Sequence, residues 1–102
     1  MRYIVFMTFD GLGPNAPVEV KLDYPLEYMF KIMGLAGDDF PEHARRLVER
    51  VGVAAPAERV TVRASSQGKY HSVSVVAMLE SEEQRRAVYQ ALHDDERVVY
   101  YL

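Results

Sequence analysis

The chain has no cysteine and no tryptophan among its 102 residues. Without cysteine there is no disulfide, no thiolate nucleophile and no cysteine-type zinc site, and a cytoplasmic location is the expectation. Long apolar runs are missing too. A bilayer takes about 20 consecutive apolar residues, whereas the stretch from Tyr3 to Phe9 already contains Thr8 and stops at Asp10. With one positive charge at Arg2 and no small-x-small cleavage pattern before Pro14 and Pro17, that stretch reads as β-strand rather than as a signal peptide. There is no surplus of basic residues: the formal net charge is -3. Nucleic acid and anionic membrane, which clustered Lys and Arg attract, are therefore not expected as partners.

Histidine is sparse. His43, His71 and His93 lie far apart, with none of the i, i+4 spacing of helical metal sites, so no metal and no cofactor is expected. His71 reads as a hydrogen-bonded histidine at the sheet edge. No Ser, His and Asp fall into a pattern that would make a nucleophile, a base and an oxyanion pocket, and no enzyme is expected.

What is present is enough for one folded domain. The composition is 49% hydrophobic and 26% charged, far from the charge-rich, aromatic-poor profile of disorder. A chain of this length closes a single core without staples.

Arg2 to Phe9 is aromatic and β-branched and runs into the turn formers Asp10-Gly-Leu-Gly-Pro-Asn15, which predicts a strand and a turn. Val18, Val20 and Leu22 alternate with Glu19 and Lys21, a pattern for the return arm of a loose hairpin. Asp23-Tyr-Pro25 marks a junction, so residues 1–23 are read as an N-terminal β arm and residues 24–102 as the main domain. From Leu26 to Met33, Leu26, Tyr28, Phe30 and Ile32 share one face, with Glu27, Met29, Lys31 and Met33 on the other. After Gly34 and Gly37, Asp38 or Asp39 is placed to cap a helix. Phe40, Ala44, Leu47, Val48 and Val51 repeat at helical spacing until Gly52 stops it.

Arg59 to Ala64 alternates again. The short loop Ser65-Ser-Gln-Gly-Lys69 forces an antiparallel return along Tyr70 to Leu79. His71, Val73, Val75, Ala77 and Leu79 make its apolar face, which leaves Tyr70, Ser72, Ser74, Val76 and Met78 outward. Ser81-Glu-Glu-Gln84 reads as a capping box that opens a second helix with a stripe of Val88, Ala91 and Leu92. Asp94 to Arg97 reads as a solvated turn. Val98 to Leu102 is a last strand whose parity is open, since Val98 and Tyr100 compete with Val99 and Tyr101 for the core. Two one-sided helices need a common sheet, and right-handed crossovers put both on one face. The expected fold is α+β: a ferredoxin-like β-α-β-β-α-β two-layer sandwich with one sheet face open.

Phe30-Lys-Ile-Met-Gly34, Arg63-Ala-Ser-Ser-Gln-Gly-Lys-Tyr-His-Ser-Val-Ser-Val75, Glu83-Gln84 and Tyr89-Gln-Ala-Leu92 together resemble the YbeD-like family of small bacterial proteins, sometimes labelled lipoate regulators. The likeness covers about Leu22 to Leu102, and the Ser-Ser-x-Gly-x-Tyr-x-Ser-Val stretch is its most specific part. The resemblance implies a fold similar to the ACT regulatory domains, which bind small molecules, often amino acids, at dimer interfaces. It implies no reaction.

Two sets of residues are candidates for function. Gly34, with Ser65, Ser66, Gly68, Lys69 and Tyr70, offers hydroxyls, flexible backbone and a cation to a phosphate or carboxylate. The plainer reading makes the loop a hairpin turn with Gly68 at positive φ and the serines serving local backbone groups, and makes Gly34 a simple turn glycine. Met29, Met33, Val76 and Met78 form the second set, an apolar part of the open face expected to be covered by a second copy, by the N-terminal arm or by a partner protein. The leading expectation is a dimeric module that senses an amino acid or another carboxylate. The alternative is an adaptor that docks a partner protein on the open face. RNA binding ranks a distant third, since Ser72 and Met29 stand where stacking rings would be needed.

Overall fold

The computed structural model describes the backbone of residues 2–8 and 17–102, with side chains from Leu22 onward. The chain opens with an antiparallel hairpin of β1 (Arg2–Thr8) and β2 (Pro17–Asp23), in which Arg2 faces Asp23 and Thr8 faces Pro17. A cis peptide bond between Tyr24 and Pro25 leads into β3 (Leu26–Leu35). Then follow α1 (Phe40–Glu49), a 3-10 turn (Ala57–Arg59), β4 (Val60–Ala64), β5 (Tyr70–Leu79), α2 (Glu82–Asp94) and β6 (Val98–Tyr101).

Strands β3 to β6 form one sheet in the order β4-β5-β3-β6, all neighbours antiparallel. This is the expected β-α-β-β-α-β arrangement. The alternation in β3 and β5 holds: Phe30, Ile32, Val73, Val75, Ala77 and Leu79 are buried beneath the helices with Phe40, Ala44, Leu47, Val48, Val88 and Leu92. Burying each such aliphatic or aromatic side chain contributes about 1.5–3 kcal/mol. Met29 and Met78 stay exposed on the opposite face.

Several local expectations are corrected. β3 continues through Gly34 to Leu35. Asp39 is the N-cap residue of α1, but its side chain makes no capping bond; its carboxylate takes Arg97 instead, with contacts of 2.9 and 3.0 Å. The last turn around Glu49 is closed by Gly52, whose φ of 94° is open to glycine at no steric cost. At the second helix, Ser81 Oγ accepts from the Gln84 amide at 3.2 Å as expected. The Gln84 side chain reaches back one residue further than a capping box requires, to the Glu80 amide at 2.8 Å.

The parity of β6 resolves in favour of neither candidate pair. Gly34 faces Val98, Met33 faces Tyr100 and Ile32 faces Tyr101, so Val99 is an extra residue bulged out of the ladder. The bulge lets Val98 and Tyr101 both pack against the core while Val99 and Tyr100 are exposed. Nor is Asp94 to Arg97 merely solvated. His43 Nε2 lies 2.8 Å from Asp95, and with the Arg97–Asp39 pair this ties the α2–β6 turn to the start of α1.

Candidate functional site

The pairing of β3 with β5 brings the two halves of the first candidate set together in backbone only. Leu35 faces Tyr70, Gly34 faces His71, and the Ala36 amide donates to the Lys69 carbonyl at 2.9 Å. Gly34, however, points into the core. A β-carbon there would land 2.5 Å from Phe40 Cε1 and 2.7 Å from the Arg97 carbonyl oxygen, so the Phe40 ring fills the space a side chain would need. The Arg97 guanidinium covers the Phe40 ring, 5.6 Å from its centroid.

The Ser65 to Tyr70 loop is knitted to itself. Ser65 Oγ accepts from the Tyr70 amide at 3.1 Å, the Ser65 amide donates to the Tyr70 carbonyl, the Gly68 amide donates to the Ser65 carbonyl, and Gly68 has φ of 72°. Ser66 and Lys69 are exposed, and the Lys69 ammonium sits 5.4 Å from the Tyr70 ring centroid. His71 is set at one end of an interior strand, and its buried Nδ1 has no hydrogen-bonding protein partner, a correction to the bonded edge histidine expected.

The open sheet face holds a feature that the candidate sets did not contain. Strand register puts Thr61, Ser74 and Lys31 in one cross-strand row and Arg63, Ser72 and Met33 in the next. Lys31, Thr61, Val62, Arg63, Ser72 and Ser74 surround a depression of about 280 Å³. A smaller one beside it shares Lys31 and Ser72 and continues over Met33 to Tyr100 and Leu102. Among the described residues no ion pair involves Lys31 or Arg63. Two cations and three hydroxyls on one concave surface offer an anion both charge and directed donors. Each residue was legible as outward-facing, but a row across three strands is visible only once the register is known. Toward the other end of the face lie Met29, Val76 and Met78, and then Glu27, held by Arg59 at 3.1 Å.

A second polar cluster lies under the junction. Glu82, at the start of α2, is 2% exposed, and accepts from Tyr24 Oη at 2.6 Å and from Arg85 at 2.7 and 2.9 Å. Arg85 holds its carboxyl down to about 2. Burial, and then the bond to Glu82, push the Tyr24 phenol up. Tyr89 is raised likewise by burial and by its 2.9 Å bond to Tyr28. All of these contacts are internal to the fold. Among the described residues no group of three His, Cys, Asp or Glu is placed to hold a metal ion, and no helix is long and apolar enough to cross a membrane.

Fold and face together define a small ferredoxin-like α+β domain with two helices behind a four-stranded sheet and a polar depression in front. A family model described as "Protein of unknown function (DUF493)" matches residues 19–102. The chain is 38% identical over 82 residues to a UPF0250 protein of Idiomarina loihiensis, spanning 79% of this chain and 90% of that one. It is 36% identical over 76 residues to a UPF0250 protein of Ralstonia nicotianae, spanning 74% and 78%. The chain therefore belongs to the DUF493/UPF0250 family of small bacterial proteins, the YbeD-like group its motifs resemble. The solution structure of HP0495 from H. pylori superimposes with a TM-score of 0.65 over 88% of this chain and 91% of that one; at 18% identity the likeness is one of fold.

Proposed function

We propose that this chain is a non-enzymatic regulatory module, working as a homodimer, that senses a small carboxylate, amino acids included, on its open sheet face. The observation that carries the reading is the depression between Lys31 and Arg63, where two cations without acidic partners among the described residues stand beside the hydroxyls of Thr61, Ser72 and Ser74. Its size suits a ligand of a few heavy atoms rather than a nucleotide. The Ser65 to Tyr70 loop with Gly34 is the other location for such a ligand, and Lys69 is the cation that would serve it.

The test is thermal unfolding and calorimetric titration against a panel of amino acids, short mono- and dicarboxylates and lipoate at fixed protein concentration. A ligand at 100 times its Kd adds about 2.7 kcal/mol to stability. Arg63→Ala and Lys31→Ala should remove the response while Lys69→Ala retains it; the reverse pattern would move the site to the loop. A panel without any response would sink the sensing reading.

One observation favours a second reading, an adaptor that docks a partner protein. Met29 is 51% and Met78 42% exposed on that same face, and flexible thioethers adapt to varied surfaces. Under that reading Met78→Glu breaks the partner contact and no small ligand binds.

A further inference from the structure

The open face is not uniform along its strands, and for two copies related by an axis across the strands its pattern of charge distinguishes one register from the others. The outward residues of β3 and β5 fall into cross-strand rows: Glu27 with Met78, Met29 with Val76, Lys31 with Ser74, and Met33 with Ser72. β4 adds Thr61 to the Lys31 row and Arg63 to the Met33 row. Successive outward residues on a strand stand roughly 7 Å apart. When two identical sheets pack face to face about a two-fold axis that runs across the strands, the row on the axis meets itself and the flanking rows exchange.

Of these four rows, three put like charges on the axis. Centring on the first sets Glu27 against Glu27, on the third Lys31 against Lys31, and on the fourth Arg63 against Arg63. Centring on the Met29–Val76 row puts no like-charged pair of β3 or β5 on the axis, and Arg59, which ends the 3-10 turn beside that row, is held by Glu27 of its own copy at 3.1 Å. Met29 meets Met29, Val76 meets Val76, Met78 lies over Ser74, and Glu27 of each copy faces Lys31 of the other. Charges of opposite sign across an interface set its register, and like charges exclude the others.

We infer that the Met29, Val76 and Met78 band is a self-association surface, on which a second copy of this chain packs face to face with Glu27 of one copy against Lys31 of the other. The inference rests on the homodimer of the reading above but not on its ligand. Met29 is 51% exposed, and covering it with an identical methionine removes both side chains from water. The Glu27–Arg59 pair is half exposed on both sides, so the Glu27 carboxylate retains a free side for Lys31. Arg63, Ser72 and Tyr100 lie beyond the exchanged rows and stay open. The patch is small, and the dimer it makes is a weak one.

The absence of native cysteine makes the axis directly testable. Facing sheets lie about 10 Å apart, too far for a disulfide but within reach of a short bismaleimide. Met29→Cys should be cross-linked to a dimer in a concentration-dependent way, and Thr61→Cys, which has no self-facing position, should not. In sedimentation across a concentration series, Glu27→Lys and Lys31→Glu should each weaken self-association by about tenfold or more, and the double exchange should restore it. A monomer at every concentration, a dimer in which Met29→Cys is not cross-linked, or a double exchange that stays dissociated would each overturn the inference. Arg63→Ala should impair carboxylate binding without touching the dimer, and Glu27→Lys should weaken the dimer without impairing carboxylate binding, so failure of the surface and failure of the sensing reading give different results.

Discussion

The Tyr24 hydroxyl donates a 2.6 Å hydrogen bond to the buried carboxylate of Glu82, 58 residues further along the chain. The residue just after the hairpin is thus fastened to the first turn of the second helix, where Arg85 at 2.7 and 2.9 Å and Arg86 at 3.3 Å complete the carboxylate's shell. A buried carboxylate that accepts from three side chains is worth more for the donors it satisfies than for the charge it carries.

This cluster makes stability depend on pH at both ends. Glu82 titrates at about 2 in the fold, well below an unfolded glutamate at roughly 4.3. A depressed carboxyl stabilises fully above the unfolded value, so its contribution is lost as pH falls from about 5 through 2. The raised Tyr24 phenol acts in the other direction: its contribution is present below about 10 and is lost as pH rises beyond that. Urea melts across pH should show both limbs. Glu82→Gln should flatten the acid limb, and Glu82→Ala, which leaves Arg85 facing a buried gap, should cost about 3 kcal/mol at neutral pH.

Gly34→Ala should be destabilising by about 2 kcal/mol or more, because its β-carbon meets both Phe40 and the Arg97 carbonyl oxygen and an overfilled core has to shift backbone. Adding Phe40→Leu should recover only part of the loss, since the 2.7 Å approach to Arg97 is to main chain. Chemical denaturation of the three variants checks the order.

Gly68→Val should cost about 1–2 kcal/mol through backbone conformation alone, since φ of 72° is unfavourable for a β-branched residue and nothing crowds its α-carbon. If the loop is only a turn, the variant melts lower yet binds carboxylates as the parent does. If the loop is the binding site, affinity falls with it.

Lys31 serves both surfaces, so carboxylate binding and self-association should oppose one another. Sedimentation in a saturating concentration of any carboxylate found in the panel should show a weaker dimer. Linkage then requires that dilution raise the apparent affinity for that carboxylate.

The strands, both helices and the β4–β5 hairpin were legible from local periodicity and a loop too short for another connection, and the two-layer fold followed from right-handed crossovers. The outward placement of Met29, Val76 and Met78 followed from the same alternation. What escaped depends on contacts distant in sequence. Tyr24 looked like part of a junction, and its bond to Glu82 requires the folded chain. Asp39 looked like a helix cap, but the Arg97 guanidinium, 58 positions later, competes successfully for its carboxylate. The depression was hidden for a third reason: Lys31, Arg63 and Ser72 are ordinary surface residues on three separate strands, and only register makes them neighbours.

The bulge at Val99 behaves toward the end of the chain as an inserted nucleotide behaves toward a message. Everything after it is read in a shifted frame: Tyr100 turns to the open face and Tyr101 to the core, the reverse of what uninterrupted alternation from Val98 would set. Deleting this one exposed valine would restore the alternation and leave nearly every contact before it untouched. Tyr100 would still face Met33 and Tyr101 still face Ile32, so the bulge absorbs one surplus residue without changing which ring the protein shows to its surroundings.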